Sequence, residues 1–336
     1  MKKSNPIHYL KNTLKITLSL ALGVFIFWLA YRQMDIASIA GILKNDVNYA
    51  WIVVAIFLGL LSHVFRAFRW KMLIEALDRH RRISTLNIFY AVMVGYLVNL
   101  LFPRAGEVAR CGVAGKYECV SFTKVVGTMI AERAFDMLIL LFICVVTVLL
   151  QINFFVDYFL GQNLALGHIQ QILMYVGIVL AVFIFLAFVF WKRLKHSKIV
   201  KRIADLLLNI WQGMKTFLYV RSQFWFLFHG FMVWILYVAM LYACVFAFDF
   251  TSGLSVGAVF TVFVMGSLGV LIPVQGGIGT FHAMTIAALA FYGIGQNAAG
   301  GFALLAHGAQ MALMIAGGLL SLLGLQFRKP KSNITE

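Results

Sequence analysis

Apolar runs of membrane-spanning length recur along the whole chain, and they constrain its fold more than any other feature. A helix that crosses a bilayer needs about 20 predominantly apolar residues. Nine segments approach or exceed that length: 14–31, 49–70, 84–102, 121–150, 168–191, 224–248, 254–273, 277–292 and 297–326. Only 12% of the residues are charged, which is too few to cover a soluble surface. The sequence therefore predicts an all-α, polytopic transmembrane helical protein that forms a single domain over residues 1–336.

Lysine and arginine residues cluster in four stretches, a distribution typical of the cytoplasmic loops of membrane proteins. One stretch precedes the first span, one follows the second span, one fills residues 192–223 and one closes the chain. Their members are Lys2, Lys3, Lys11, Lys15, Arg66, Arg69, Lys71, Arg79, Arg81, Arg82, Lys192, Arg193, Lys195, Lys198, Lys201, Arg202, Lys215, Arg221, Arg328, Lys329 and Lys331. We predict a multi-pass protein of the cell (inner or cytoplasmic) membrane with both termini in the cytoplasm. On this interpretation the net charge of +16 reflects loop orientation and not nucleic-acid binding.

The stretch around Pro103 is predicted to enter the membrane and return to the same side. The basic residues after the second span are placed inside, whereas residues 151–167 contain no Lys or Arg and are placed outside. An odd number of crossings must separate these two loops, yet two apolar segments, 84–102 and 121–150, lie between them. The simplest solution is a re-entrant segment at 84–119. Irregular backbone at membrane depth must be covered by protein or line a wet cavity, so we expect a central polar cavity beside it.

Pro103 and Pro273 are the only prolines within the apolar body of the chain, and glycines follow each of them. Paired interruptions of this kind, one in each half of a transporter, indicate its binding site. A helix that restarts after such a break offers free N–H groups and the positive end of its dipole, and both suit an anion. We expect both prolines to act as hinges and residues 273–292 to form a second re-entrant segment, beside about seven or eight spans. A proline kink without function is the alternative.

Six charged residues fall within 33 positions next to the first break: Arg104, Glu107, Arg110, Glu132, Arg133 and Asp136. Glu132 and Asp136 share one helix face at i,i+4, and Arg133 can pair with Asp136 at i,i+3. Each charge costs roughly 2.5–3.5 kcal/mol at the centre of a membrane helix, so we expect these acids to face Arg104 and Arg110. A neutral, cross-paired network would line the cavity, where an arginine could exchange a carboxylate for a substrate phosphate. The alternative is a position in the headgroup layer, where the charges only anchor the fold.

Residues 192–223 are predicted to form a basic, amphipathic cytoplasmic loop. Within them, residues 199–218 place apolar side chains at helical spacing with charged side chains opposite. Such a helix can bind the anionic lipids of the cytoplasmic surface, which makes those lipids an expected partner. A linker helix without any lipid contact is the alternative.

The chain shows none of the motifs that indicate an enzyme, and we expect neither a cofactor nor a metal ion. It has no H-E-x-x-H motif, no Ser–His–Asp arrangement and no C-x-x-C pair. Its glycine-rich run lacks the G-K-[S/T] of a nucleotide-binding loop. We interpret the cysteines, Cys111, Cys119, Cys144 and Cys244, as free or packed thiols.

Three motifs together resemble the flippase-like integral membrane family, in particular the N-terminal membrane (flippase) domain of lysylphosphatidylglycerol synthase/flippase. The motifs are NLLFPRAGEVARCGVAG (99–115), TMIAERAFDML (128–138) and IPVQGGIGTFHA (272–283). The residues that match the family pattern are Asn99, Pro103, Arg104, Gly106, Glu107, Arg110, Glu132, Arg133, Asp136, Pro273, Gly276, Gly277 and Gly279. The resemblance spans nearly the whole chain. Since the chain ends at Glu336 without an aminoacyl-transferase domain, the resemblance implies lipid translocation without lipid synthesis.

Two histidines depart from the family pattern. His282 stands where the family pattern has an acidic residue, and His307 stands where an arginine is expected. A His–His pair in place of a Glu–Arg pair would make this part of the site responsive to pH near neutrality. The departure also leaves the substrate open, because an aminoacylated lipid need not be the ligand.

The predicted function is the movement of a phosphate-bearing polar lipid, a membrane phospholipid or another lipid-linked substrate, between the leaflets of the membrane. The predicted headgroup-binding residues are Arg104, Gly106, Glu107, Arg110, Glu132, Arg133, Asp136, Pro273, Gly276, Gly277, Gly279 and His282. Arginines would receive the headgroup, carboxylates would hold those arginines when the site is empty, and the glycine backbone would donate N–H groups. His282 would gate the site by protonation. A membrane glycosyltransferase that acts on a lipid-linked sugar and a noncatalytic membrane scaffold are the alternatives.

Overall fold

The residues described by the computed structural model are 6–78, 82–160 and 218–331. Almost all of them lie in helices, and their one β-bridge joins Val47 to Phe248 outside any sheet. The all-α prediction is therefore confirmed. The predicted segment 168–191 and nearly all of the basic loop 192–223 lie outside the described residues.

Twelve α-helices and one short 3₁₀ turn make up the described residues. They are α1 Pro6–Tyr31, α2 Ile36–Asn45, α3 Tyr49–Glu75, α4 Thr85–Leu101, α5 Ala105–Glu118, α6 Phe122–Leu150, α7 Ile152–Leu160, α8 Gln223–Phe246, α9 Asp249–Ser252, α10 Val256–Leu271, the 3₁₀ turn Gln275–Gly277, α11 Thr280–Phe291 and α12 Gln296–Gln326. Each predicted apolar segment within the described ranges falls on one of these helices. The short helices α2, α7 and α9 were too brief to be predicted from apolar length.

Four helices of the described ranges are long and apolar enough to cross a membrane. They are α3, α6, α8 and α12, with 27, 29, 24 and 31 residues. Helices α1 and α2 meet at an 85° bend across a short break, and they add a fifth candidate if the pair is counted as one span. The chain is thus a multi-pass membrane protein, while the total of seven or eight spans stays a prediction.

Polar side chains determine where several of these helices begin. Asn48 precedes α3, and its Oδ1 accepts a hydrogen bond from the Ala50 N–H at 3.1 Å. Ser255 precedes α10, and its Oγ accepts from the Ala258 N–H at 3.2 Å. The first N–H groups of a helix have no partner within it, so each such cap contributes about 1 kcal/mol to the stability of the helix.

Helices α4 and α5 fold back on each other as an antiparallel pair, here called the first hairpin. The chain turns at residues 102–104, and the backbones pack closely at Gly95 and Gly106, where a Cβ on Gly106 would overlap the Gly95 carbonyl oxygen. Asn99 Oδ1 accepts the Gly106 N–H at 2.8 Å and so caps α5 from the preceding helix. With 17 residues, α4 is about 25 Å long, shorter than a hydrocarbon core of about 30 Å. This geometry suits a segment that enters the membrane and returns.

Helices α10 and α11 form a second antiparallel pair, here called the second hairpin. Gly269 lies against the backbone of Thr280, so that a Cβ on Gly269 would be 2.7 Å from the Thr280 carbonyl oxygen. The turn requires three left-handed glycines, Gly276 (φ 58°), Gly277 (φ 80°) and Gly279 (φ 84°). The sequence makes 254–273 a candidate span; in the structure this segment forms the first arm of the hairpin, with 16 helical residues.

The tips of the two hairpins touch each other. Leu100 Cδ2 lies 2.8 Å from the position that a Cβ would take on Gly276. Helix α1 packs on the second tip, where the Ser19 hydroxyl donates to the Pro273 carbonyl oxygen at 2.8 Å. Helix α12 runs beside both hairpins, and its His307 reaches the Gly276 carbonyl oxygen. The two breaks predicted from the sequence are therefore neighbours in space.

Candidate functional site

Two arginines of α3 face two carboxylates of α6 in the interior. Arg66 and Arg69 lie one helical turn apart, as do Glu132 and Asp136, so each pair presents one face to the other. Arg66 Nη1 lies 2.8 Å from both Glu132 Oε1 and Asp136 Oδ2. Arg69 Nη2 lies 3.2 Å from Glu132 Oε1 and 2.6 Å from Asp136 Oδ1. Four charge-assisted contacts between buried side chains thus join the two helices.

The first hairpin adds a third arginine to this cluster. Arg110 of α5 places its Nη1 2.8 Å from Glu132 Oε2, and the residue is only 3% exposed. Its guanidinium lies over the ring of Trp70, 4.5 Å from the ring centroid, where a cation–π contact is favourable. Trp70 in turn donates its Nε1–H to Thr128 Oγ1 at 3.1 Å. Through Arg110 the hairpin is held against both α3 and α6.

A half-exposed ion pair lies at the edge of the cluster. Arg133 Nε is 2.9 Å from Glu107 Oε1, and the two side chains are 36% and 31% exposed. Arg133 Nη1 also lies 3.8 Å from Asp136 Oδ2. A small cleft opens beside this pair, with a cavity volume of about 10 Å³, room for roughly one water molecule. The polar and charged residues that line the cleft are Tyr96, Asn99, Glu107, Arg110 and Arg133.

Together these side chains, here called the arginine network, carry a net positive charge. The members are Arg66, Arg69, Arg110, Arg133, Glu107, Glu132 and Asp136. Four arginines against three carboxylates leave a net charge of +1. Among the described residues no hydrogen-bond partner serves Arg66 Nε, Arg69 Nε and Nη1, or Arg110 Nε and Nη2. Buried polar atoms normally have a partner, so the network has the charge and the donors to bind one more anionic acceptor.

Arg66 and Arg69 could not be assigned to this network from the sequence. The positive-inside rule places both in the cytoplasmic stretch after the second span, but α3 continues to Glu75 and buries both side chains. The available signal is their spacing, since arginines three positions apart on one helix match carboxylates four positions apart on another. Because of these two residues the network is positive and not neutral, which corrects the predicted charge balance.

Arg104 is not a member of the arginine network. The sequence predicts that it faces Glu132 and Asp136, but its side chain is exposed and makes no ion pair within the described part of the chain. It directly precedes α5, as the N-cap residue, with a left-handed φ of 62°, which costs a residue other than glycine roughly 1–2 kcal/mol. Strained residues of this kind cluster at functional sites. The other predicted contacts, Arg110 with Glu132 and Arg133 with Asp136, are present.

The sequence predicts free N–H groups for an anion at the turn of the second hairpin, but two of these groups make hydrogen bonds within the turn. The Gly277 N–H bonds to the Val274 carbonyl oxygen at 3.5 Å. The Gly279 N–H donates to His282 Nδ1 at 3.3 Å, which caps α11 from within. In this conformation neither glycine offers a free donor.

His282 and His307 pack against each other beside this turn. Their ring centroids are 4.8 Å apart and their planes meet at 81°. His307 Nε2 lies 2.9 Å from the Gly276 carbonyl oxygen, and because a carbonyl only accepts, this nitrogen carries the hydrogen. His282 Nδ1 accepts from Gly279 and therefore carries none. A second proton on His282 would place an Nδ1–H donor opposite the Gly279 N–H donor, with no acceptor between them. The response to pH that the sequence predicts stays a prediction.

The arginine network and the glycine-rich turn with its two histidines meet only at the hairpin tips. Within the described ranges, no hydrogen bond or ion pair connects His282 or His307 with the arginine network. Pro103 and Pro273 both lie in the turns, which touch through Leu100. The structure therefore shows a charged cluster and a glycine-rich turn that are adjacent but separate.

Comparison with known proteins finds that the chain is similar to membrane proteins. The family described as the lysylphosphatidylglycerol synthase TM region matches residues 16–318. A UPF0104 membrane protein of Methanothermobacter thermautotrophicus is 22% identical over 282 residues, which cover 76% of this chain and 78% of the relative. A UPF0104 membrane protein of Methanocaldococcus jannaschii is 28% identical over 134 residues, 38% of this chain and 39% of the relative. No solved structure matches the chain.

Proposed function

The chain belongs to the lysylphosphatidylglycerol synthase transmembrane region family, and from that premise we propose that it moves a phosphate-bearing polar lipid between the leaflets of a cell membrane. The proposal is for transport and not for catalysis, and it requires no cofactor. The observation that carries it is the arginine network, which buries one more positive charge than negative charges. The two hairpins whose tips meet beside the network give further support.

A lipid phosphate would complete the arginine network. A buried charge without a counter-charge is unfavourable by several kcal/mol, so the surplus of one arginine favours a bound anion. The free nitrogens of Arg110, which lines the cleft, can donate to phosphate oxygens, and a planar guanidinium matches a phosphate with two parallel hydrogen bonds. A carboxylate of the protein and a phosphate of the lipid would thus share the same set of donors.

Arg110 is the side chain best placed to receive the phosphate. It lines the cleft, and two of its nitrogens have no hydrogen-bond partner in the described structure. If Arg110 turns from Glu132 to a phosphate, Glu132 still keeps its contacts with Arg66 and Arg69. The exchange therefore leaves no carboxylate unpaired, and the outer pair of Arg133 and Glu107 would only have to part to admit the headgroup.

The hairpin tips are the parts that we propose move during transport. Pro103 and Pro273 lie in the two turns, where proline cannot donate a backbone hydrogen bond. Arg104, exposed at the first turn, would contact a headgroup before it enters the cleft. At the second turn, a proton on His282 would release the cap that it forms with Gly279.

We also propose that both termini and the basic residues 192–223 face the cytoplasm, where they would contact anionic lipids. The basic residues that remain outside the arginine network support this orientation. Lys71 and Arg82 follow the second predicted span, and Lys331 follows the last one. Lys331 Nζ donates to the Arg82 carbonyl oxygen, so these two basic stretches lie on the same side of the molecule.

A translocation assay in liposomes tests the proposal. The vesicles contain a fluorescent phosphatidylglycerol, and an impermeant reductant bleaches only the lipid that reaches the outer leaflet. Vesicles with the wild-type protein are expected to bleach completely, whereas protein-free vesicles keep their inner half. Arg110→Gln makes the network neutral and is expected to slow translocation roughly tenfold or more, because a hydrogen bond to a charged group contributes about 1.5–3 kcal/mol.

The matched control is Lys116→Ala, which removes an exposed positive charge from the same helix. It is expected to keep the wild-type rate. Bleaching no greater with the wild-type protein than without protein would overturn the proposed transport. Equal translocation rates for the wild type and Arg110→Gln would show that the arginine network takes no part in the transport.

A further inference from the structure

We propose that the substrate lipid carries a single negative charge on its headgroup phosphate, as a phosphodiester does, and that Glu107 helps to exclude lipids with a doubly charged phosphomonoester. This inference rests on the proposed function, because it concerns the ligand of the same site. Three observations carry it: the charge count of the network, the burial of its inner arginines and the position of Glu107 on the cleft.

The arginine network balances one negative charge and no more. With four arginines and three carboxylates, a phosphodiester brings the occupied site to neutrality. A phosphomonoester carries about −1.5 to −2 at neutral pH, so the occupied site would hold up to one uncompensated negative charge. Because Arg66, Arg69 and Arg110 are each at most 3% exposed, water screens such a charge poorly.

Outside the arginine network, the lining of the cleft adds no further positive charge. Its other polar lining residues, Tyr96 and Asn99, are neutral. Arg104 is exposed and makes no ion pair with the network in the described structure. A second negative charge on the ligand could pair only with Arg133, and only by taking it from Glu107 and Asp136.

Glu107 places a negative charge where the outer part of a headgroup must lie. It lines the cleft and is 31% exposed, while its Oε1 contacts Arg133 at 2.9 Å. A second charge on the phosphate would meet this carboxylate, and like charges at short range repel. Glu107 is therefore the specificity-determining residue of the proposed site, and it acts through its charge.

The test compares a phosphodiester lipid with a phosphomonoester lipid that lacks the headgroup glycerol. Phosphatidylglycerol and phosphatidic acid with the same fluorescent acyl chain are assayed near pH 8, above the second phosphate pKa of about 6. The wild-type protein is expected to move phosphatidylglycerol roughly tenfold faster than phosphatidic acid, after subtraction of the protein-free rate. Millimolar inorganic phosphate on both sides is expected to leave the rate unchanged, because the ligand is a lipid headgroup.

Glu107→Gln raises the network charge to +2 and is expected to reduce the preference for phosphatidylglycerol severalfold. Glu75→Gln is the matched control, since Glu75 is 34% exposed and pairs with Lys71 at 3.7 Å, away from the network, and its preference is expected to match the wild type. Equal wild-type rates for the two lipids, complete inhibition by free phosphate, or an unchanged preference in Glu107→Gln would overturn the inference. If the protein accelerates the translocation of neither lipid, both the proposed function and this inference are wrong.

Discussion

Replacing Glu132 with glutamine is expected to destabilise the protein by about 3–5 kcal/mol, because it breaks a buried ion-pair cluster from one side. Glu132 is fully buried and contacts three arginines, Arg66 at 2.8 Å, Arg69 at 3.2 Å and Arg110 at 2.8 Å. Glutamine has nearly the same shape but no charge, so the network would carry +2 with a single buried carboxylate left. Thermal or denaturant unfolding in detergent micelles measures the loss.

Glu75→Gln provides the matched control for this measurement. It makes the same chemical change in an ion pair with Lys71 that is about one-third exposed. Exposed pairs contribute about 0–1 kcal/mol, so this variant is expected to unfold close to the wild type. If the two variants unfold alike, the carboxylate of Glu132 does not stabilise the arginines, and the described cluster is incorrect.

Replacing Gly106 with alanine is expected to force the first hairpin apart. The new Cβ would overlap the Gly95 carbonyl oxygen and lie 2.6 Å from Asn99 Cγ. Neither backbone can yield without separating α4 from α5, and overpacking of this kind costs about 1–3 kcal/mol. Hydrogen exchange is expected to accelerate in both helices of the hairpin, together with a lower unfolding midpoint. The cap between Asn99 and Gly106 would also be lost.

Gly112→Ala distinguishes this clash from the general effect of alanine in the same helix. Nothing lies within 4 Å of a Cβ on Gly112. Alanine is favoured over glycine in a helix interior by about 0.5–1 kcal/mol, so this variant is expected to be as stable as the wild type or slightly more stable. Equal stability of Gly106→Ala and Gly112→Ala would show that the two helices do not pack as closely as described.

The helices of the described ranges follow closely from the sequence, because apolar length is a strong constraint in a membrane. The segment 121–150 becomes Phe122–Leu150, and 84–102 becomes Thr85–Leu101. The sequence also indicates that the chain turns near Pro103, since the basic and neutral loops require it. The second hairpin is harder to predict from the sequence, because α10 is apolar throughout. Only its length of 16 residues distinguishes it from a membrane-spanning helix.

The charged site could be predicted only in part, because the positive-inside rule assigns arginines to cytoplasmic loops even where their side chains face the protein interior. Arg66 and Arg69 lie near other basic residues in sequence, so their composition indicates a cytoplasmic loop. Their burial depends on the partner carboxylates of α6, 63 or more positions away along the chain. Arg104 is the opposite case: it belongs to the motif, but the left-handed turn places its side chain outside the cluster.

The central claim is that the buried surplus of positive charge binds a lipid phosphate. Native mass spectrometry of the detergent-purified protein with added phosphatidylglycerol measures this most directly. The wild type and Lys116→Ala are expected to retain one phosphatidylglycerol, whereas Arg110→Gln is expected to bind it roughly tenfold more weakly. Retention of the lipid by Arg110→Gln at the wild-type level would contradict the claim.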